Sequence, residues 1–139
     1  MKTVVGMVCM LLLFASCGKE QNFVPDYPVN YNVTAVEFGI KANNNILLVP
    51  NHGVAGLMIV RSVTGGYVAF DRCSTVNPEK ACAVTPDNDN VFIAVDPCSG
   101  AKYSVLDGSP QAAPAKTSLK RYTVTVTGNT GSATIHVSN

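Results

Sequence analysis

Apolar and hydroxyl-bearing residues alternate most cleanly near the C-terminus, where Tyr122, Val124 and Val126 interleave with Thr123, Thr125 and Thr127. After the turn Gly128-Asn129-Thr130-Gly131, the residues Ala133, Ile135 and Val137 keep the same period. A period of two puts alternate side chains on opposite faces, so this pair reads as an antiparallel hairpin with one buried face. Further strand signals run upstream. Asn32 to Phe38 carries Val33, Thr34, Val36 and Phe38 and reads as a strand. Ile46 to Val49 is a short apolar run between Asn43-Asn44-Asn45 and Pro50. Gly56 to Val63 and Tyr67 to Phe70 are joined across Gly65-Gly66, a hairpin signal because glycine tolerates positive φ. Val91 to Val95 is another apolar run, preceded by Asp87-Asn88-Asp89-Asn90, which reads as a hairpin turn. Lys102 to Leu106 leads into the turn Asp107-Gly108. No stretch shows helical periodicity. The pattern predicts an all-β domain of about nine short antiparallel strands, folded as a sandwich or small barrel.

The N-terminal pattern is of another kind. Lys2 precedes an uninterrupted apolar stretch from Val4 to Ala15, and Phe14-Ala15-Ser16-Cys17 follows. A positive start, an apolar core of about a dozen residues and small residues at its end form a secretory signal. The stretch is too short to span a bilayer, which takes about 20 residues. Small residues immediately before a cysteine, with the polar run Gly18 to Asn22 behind it, mark a lipoprotein signal. The expected organisation is a cleaved signal peptide over 1–16, a tether lipidated at Cys17 over 17–31, and one β domain over 32–139. Acyl chains on Cys17 would fix the domain to a membrane, since each buried methylene contributes about 0.8 kcal/mol. The expected location is the cell envelope, at the outer membrane on its periplasmic or surface face.

Charge narrows the partners. Lys2 is the one charged residue before Cys17, so nine of the ten cationic side chains remain to face nine acidic ones. A neutral domain has no electrostatic footprint for nucleic acid, and no basic run suited to anionic lipid.

Three cysteines, Cys73, Cys82 and Cys98, lie beyond the tether. In an oxidising compartment the simplest account is one disulfide and one remaining thiol. Other candidate chemistry is sparse. The two histidines, His52 and His136, stand apart from these cysteines in sequence, which argues against a zinc site built on Cys73 and Asp96. Asp87 to Asn90 lacks the glycine and distal glutamate of a calcium loop. Ser99-Gly100 has no histidine base placed to make it a nucleophile. Asn32-Val33-Thr34 matches a glycosylation acceptor but reads as plain strand sequence.

One ordered set of motifs remains: Val68 to Cys73, then Cys82, then Asp96-Pro97-Cys98-Ser99-Gly100-Ala101-Lys102-Tyr103. Gly108-Ser109-Pro110, Ala113-Pro114-Ala115 and Leu119-Lys120-Arg121-Tyr122-Thr123-Val124 follow. In order and spacing this series resembles the Rieske domain, with its Cys-x-His box, its Cys-Pro-Cys-His-Gly box, its proline loop and its final strand. Val24-Pro25, Pro28-Val29-Asn30 and Gly53 to Arg61 resemble the N-terminal region of Rieske-like lipoproteins of Bacteroidetes. Cys17-Gly18-Lys19-Glu20 is similar to their surface-export signals.

The resemblance implies a Rieske-like fold whose cluster ligands are lost. Two thiolates and two imidazoles hold a Rieske cluster. The matching positions here carry Cys73, Thr75, Asp96 and Ser99, so one ligand of the four is kept. Neither a hydroxyl nor a carboxylate replaces imidazole or thiolate for this iron. No 2Fe–2S cluster, other cofactor or metal is expected. By the same resemblance Cys98 pairs with Cys82, the alternative Cys73–Cys98 staying open, and closure of that loop would stabilise the fold by about 3 kcal/mol. The loops 72–82, 96–103 and 107–116 would gather at one end, where an unidentified protein or small ligand would dock. The function expected is a non-enzymatic binding or structural module. A thiol–disulfide or iron–sulfur electron-transfer protein is the alternative.

Overall fold

The computed structural model describes residues 23–139; the signal segment 1–16, Cys17 and the first tether residues lie outside the described residues. In chain order the elements are β1 (Asn30–Thr34), α1 (Ala35–Lys41), β2 (Ile46–Val49), β3 (Leu57–Arg61) and β4 (Tyr67–Asp71). A 3-10 turn at Pro78–Lys80 precedes β5 (Thr85–Pro86), β6 (Ile93–Val95), β7 (Lys102–Ser104) and β8 (Pro110–Ala112). β9 (Arg121–Thr127) and β10 (Thr134–Ser138) close the chain. Every strand pairing is antiparallel, in a six-stranded sheet ordered β1-β10-β9-β4-β3-β2 and a four-stranded sheet ordered β5-β6-β7-β8.

β3 explains why there are two cores. Its residues Leu57 to Val60 are all at or below 3% exposure, so both faces are covered. Leu57 and Ile59 pack with Val33, Leu47, Val49, Ile135 and Val137, residues drawn from both ends of the six-stranded sheet. That sheet therefore curls around its own apolar face, with Phe38 from α1 and Val29 from the N-terminal segment filling it. Met58 and Val60 point the other way. They meet Phe70, Val84, Ala94, Tyr103 and Val105, which bridge to the four-stranded sheet. Gly108 touches this second core: a Cβ there would lie 2.8 Å from the Phe70 ring, and its φ is +77°. Only glycine suits that approach.

The hairpins β3–β4 and β9–β10 form where alternation predicts them, and β2 matches its run to the residue. In the β3–β4 turn Gly65 takes positive φ, at +90°, and the Ser62 amide closes on the Gly66 carbonyl at 2.8 Å. Asp87 to Asn90 is the expected turn, between β5 and β6. Among the described residues there are ten strands, because β5 and β8 are only two and three residues long, too short to show a period. Val126 is half exposed, since β9 outruns its pairing with β4 beyond Tyr122 and Ala69.

The expected strand over Asn32 to Phe38 is corrected: β1 ends at Thr34 and α1 follows at once. The Thr34 hydroxyl accepts a hydrogen bond from the Glu37 amide at 3.1 Å, capping the helix. Glu37 then pairs with Lys41 one turn on. Thr-x-x-Glu is a helix-start pattern, and here it overrides the β-branched residues around it. The N-terminal segment also differs from a free tether, since Val24 and Val29 are both 5% exposed. Lys120 Nζ donates to Pro25 O at 3.0 Å and to Asp26 at 2.5 Å, and the Asn139 side chain donates to Tyr27 O at 3.0 Å.

The helix makes a sharp distinction between two neighbouring apolar residues. Phe38→Ala should cost about 3–5 kcal/mol in urea unfolding, by cavity formation. Val36→Ala, at a site 57% exposed, should change stability by less than about 0.5 kcal/mol. Equal losses at both would restore the strand.

Candidate functional site

β4 and β6, one from each sheet, each lead directly into a cysteine-bearing loop. β4 ends at Asp71, two residues before Cys73, and β6 ends at Val95, next to Asp96. The loops are tied by a disulfide between Cys82 and Cys98, with Cα atoms 6.3 Å apart. The pairing implied by the resemblance is the one formed, and Cys73 is free and buried. Cys98 is solvent-exposed and Cys82 half-buried, so the bridge lies at the surface.

Asp96 stands at the centre of this end, fully buried. Its Oδ2 accepts from Ser74 Oγ at 2.7 Å and from Ser99 Oγ at 2.5 Å, and its Oδ1 accepts from the Cys98 amide at 2.8 Å. Burial opposes its charge, but the hydroxyls of Ser99 and Ser74 and the amides of Cys98 and Ser99 outweigh it. They hold the carboxyl below its ordinary value. The network continues through Tyr103, whose hydroxyl lies 3.1 Å from Ser74 Oγ and 3.0 Å from Thr75 Oγ1. Thr75 Oγ1 donates in turn to Thr117 O at 2.7 Å. Among the described residues no buried side-chain polar atom lacks a partner.

A second buried carboxylate braces the same end from behind. Asp71 accepts at Oδ2 from the Val54 amide (2.7 Å) and the Tyr122 hydroxyl (2.9 Å). At Oδ1 it accepts from the amides of Ala55 (3.1 Å) and Cys73 (2.8 Å). Burial, then the hydrogen bond to Asp71 and its charge, raise the Tyr122 phenol well above its usual range. Gly53, at φ +62°, is required here, because a Cβ would collide with Asp71 Oδ2 and lie 2.6 Å from the Tyr122 hydroxyl.

The four expected cluster positions are thus brought to one place, and each is already committed. Thr75 donates to a carbonyl, Ser99 donates to Asp96, and Asp96 takes donors on both oxygens. The Cys73 thiol lies 3.5 Å from Pro78 O and 3.6 Å from Ser74 O. Burial, then the charges of Asp71, Asp96 and Glu79, push it up to about 11, so it stays protonated at neutral pH. Metal ligation and nucleophilic reactivity both need thiolate. The histidines are occupied elsewhere. His52 Nδ1 is 2.9 Å from Pro50 O and its ring meets Tyr31 edge-on at 5.0 Å, while His136 Nδ1 is 2.6 Å from Asn32 Oδ1. The donor set does not fit a Rieske cluster. Cys82, Asp96 and Cys98 place potential ligand atoms within 4.8 Å of one another, but both sulfurs are bonded to each other.

An apolar groove of about 340 Å³ adjoins the site at Thr75, lined also by Phe23, Val24, Asp26, Thr117, Ser118 and Lys120. Lys120 there has its ammonium engaged by Asp26 and Pro25. Sequence reasoning missed this groove, along with Ser74, Tyr103 and Tyr122 in the networks. A hydroxyl run beside a cysteine, Ser74-Thr75, was the one available signal.

The fold is similar to that of known Rieske-type domains. Over 80% of this chain and 98% of the other, it superposes on the cyanobacterial plasma membrane Rieske protein from Synechocystis, at a TM-score of 0.58 and 24% identity. Two further solved structures match at lower scores. The ferredoxin of carbazole 1,9a-dioxygenase from Nocardioides aromaticivorans gives 0.48 at 20% identity, covering 81% of this chain and 97% of that one. A putative NADH-dependent nitrite reductase small subunit from Mycobacterium tuberculosis gives 0.46 at 18% identity, covering 82% and 97%. No protein-family model and no curated protein matches the chain. The expected Rieske-like, all-β fold is therefore what this sequence adopts.

Asp96 makes acid stability specific. Its folded value lies below the ordinary 3.8, so in that window the unfolded chain binds more protons. The stabilisation is full above the ordinary value and is lost as pH falls through the lower folded one. Asp96→Asn should cost about 2–3 kcal/mol at pH 7. Its stability should also vary less with pH below about 4 than that of the parent chain. Urea midpoints measured across that range check both, and an unchanged pH slope would remove the role given to Asp96.

Proposed function

We propose that this Rieske-like chain is an envelope lipoprotein, anchored through Cys17, whose domain works without an iron–sulfur cluster as a non-enzymatic binding or structural module. The observation that carries the reading is the donor set at the four cluster positions, Cys73, Thr75, Asp96 and Ser99. One is a thiol held protonated, and three are oxygens spent on internal hydrogen bonds. To ligate iron, these groups would have to abandon buried partners and still supply neither imidazole. The anchor rests on the sequence Phe14-Ala15-Ser16-Cys17 and the polar run that follows it. The docking region is the end that carries loops 72–82, 96–103 and 107–116, the first two of them joined by the Cys82–Cys98 bridge.

Anaerobically purified protein should contain fewer than about 0.1 iron atoms per chain and show no visible Rieske absorption. Iron near about two per chain, with the matching spectrum, would overturn the reading.

A second reading, thiol–disulfide exchange through Cys82–Cys98, draws on the exposure of Cys98 at the surface. Structural disulfides resist glutathione buffers poised near about −250 mV, whereas exchanging ones equilibrate there. A crosslink that survives that buffer, followed by thiol counting, removes the second reading.

A further inference from the structure

The described chain begins at Phe23, and Phe23 lines the same groove as Thr75, one of the cluster positions. The tether therefore leaves the domain at the end where the cysteine loops gather. From Phe23 back to Cys17 is six residues, at most about 20 Å of extended chain. A domain of this size is about 35 Å across. The domain therefore cannot stand on its far end, at the β3–β4 turn, whereas the cluster-position end stays within about 20 Å of the surface that holds Cys17.

That end is also suited to lipid. Phe23 is 68% and Tyr27 54% exposed, although the segment carrying them is pinned by Lys120 and Asn139. Exposed aromatic rings on a fixed segment beside an apolar groove match the chemistry of the membrane interface, where rings settle at headgroup depth. The neutral balance of nine against nine charges removes any need for anionic lipid.

We propose that the domain rests cluster-position end down on the bilayer, with Phe23, Tyr27 and the adjoining groove seated in the lipid interface. This rests on acylation of Cys17 as proposed above, and it adds which face meets the membrane. The buried Asp96 network and the Cys82–Cys98 bridge then lie on the membrane side, and a docking partner would approach along the bilayer.

The chain has no tryptophan, so one introduced indole is a unique reporter. Phe23→Trp and Val63→Trp, the latter at the far β3–β4 turn and 88% exposed, are prepared as full chains extracted from bacterial membranes. Each is reconstituted in phosphatidylcholine vesicles with brominated acyl chains, and its mass is measured to establish acylation. Phe23→Trp emission should fall by about threefold and shift to the blue, independent of salt and of added anionic lipid, with Val63→Trp unaffected. Acylated protein whose Phe23→Trp reporter is no more quenched than Val63→Trp overturns the orientation and leaves the anchor standing. Absence of acyl mass overturns the anchor, and the orientation with it. A blue-shifted but unquenched Phe23→Trp in a crosslinkable dimer gives the groove to a second copy, and likewise overturns the proposal.

Discussion

A carboxylate with no solvent contact and no cation must be surrounded by hydrogen-bond donors, and there are two of them among the described residues. Asp71 and Asp96 are both fully buried. The ion pairs of the described residues involve Glu37, Asp87 and Asp26 instead. An unpaired charge at such a depth costs several kcal/mol. The loops around each carboxylate can therefore close only in the arrangement that delivers their amides and hydroxyls. Asp71 collects donors from residues 54, 55, 73 and 122, and so joins the β2–β3 connection to β4 and β9. Asp96 collects them from residues 74, 98 and 99 and joins the two cysteine loops.

These two hubs make a metal unnecessary as a fastener. A cluster shared between two loops limits how far they can separate. Here the same restraint comes from one disulfide, worth about 3 kcal/mol for a loop of this length, and from charge-assisted hydrogen bonds of about 1.5–3 kcal/mol each. The residues at these positions agree with one another. Serine and threonine hydroxyls at positions 99 and 75 donate to oxygen acceptors, and the carboxylate at 96 is one such acceptor. An imidazole kept at 75 or 99 would be larger than the hydroxyl and would bring a ring nitrogen in need of its own partner.

How much of this was legible follows from how each feature is encoded. β9, β10, β2 and the β3–β4 hairpin declare themselves by period and by glycine turns, because those are local properties. α1 was misread although its cap, Thr34 with Glu37, is plain in the sequence: seven residues show too few turns for a period, and Val33, Val36 and Phe38 favour a strand by composition. β5 and β8 are invisible for the same reason of length. The disulfide came through the family likeness, since spacing alone does not select a partner. The hydrogen-bond networks were illegible. Asp71, Ser74, Tyr103 and Tyr122 are ordinary residues whose roles exist only once distant segments meet: Ser74 and Asp96 are 22 positions apart, and Asp71 and Tyr122 are 51.

The same geometry limits what kind of electron chemistry the fold could retain. Architecture alone does not carry an activity, which resides in particular groups. An iron–sulfur centre passes single electrons because its irons share the change in charge. The redox couple present at this end is Cys82–Cys98, which takes up electrons in pairs and passes through a mixed disulfide with another thiol. Cys73, the other sulfur there, is buried and protonated, and it cannot attack that bridge as a thiolate at neutral pH. On the thiol–disulfide reading, exchange would need a partner thiol that reaches exposed Cys98 and would move electrons in pairs. The groups at positions 73, 75, 96 and 99, rather than the architecture, therefore decide which class of electron chemistry each reading of this end would use.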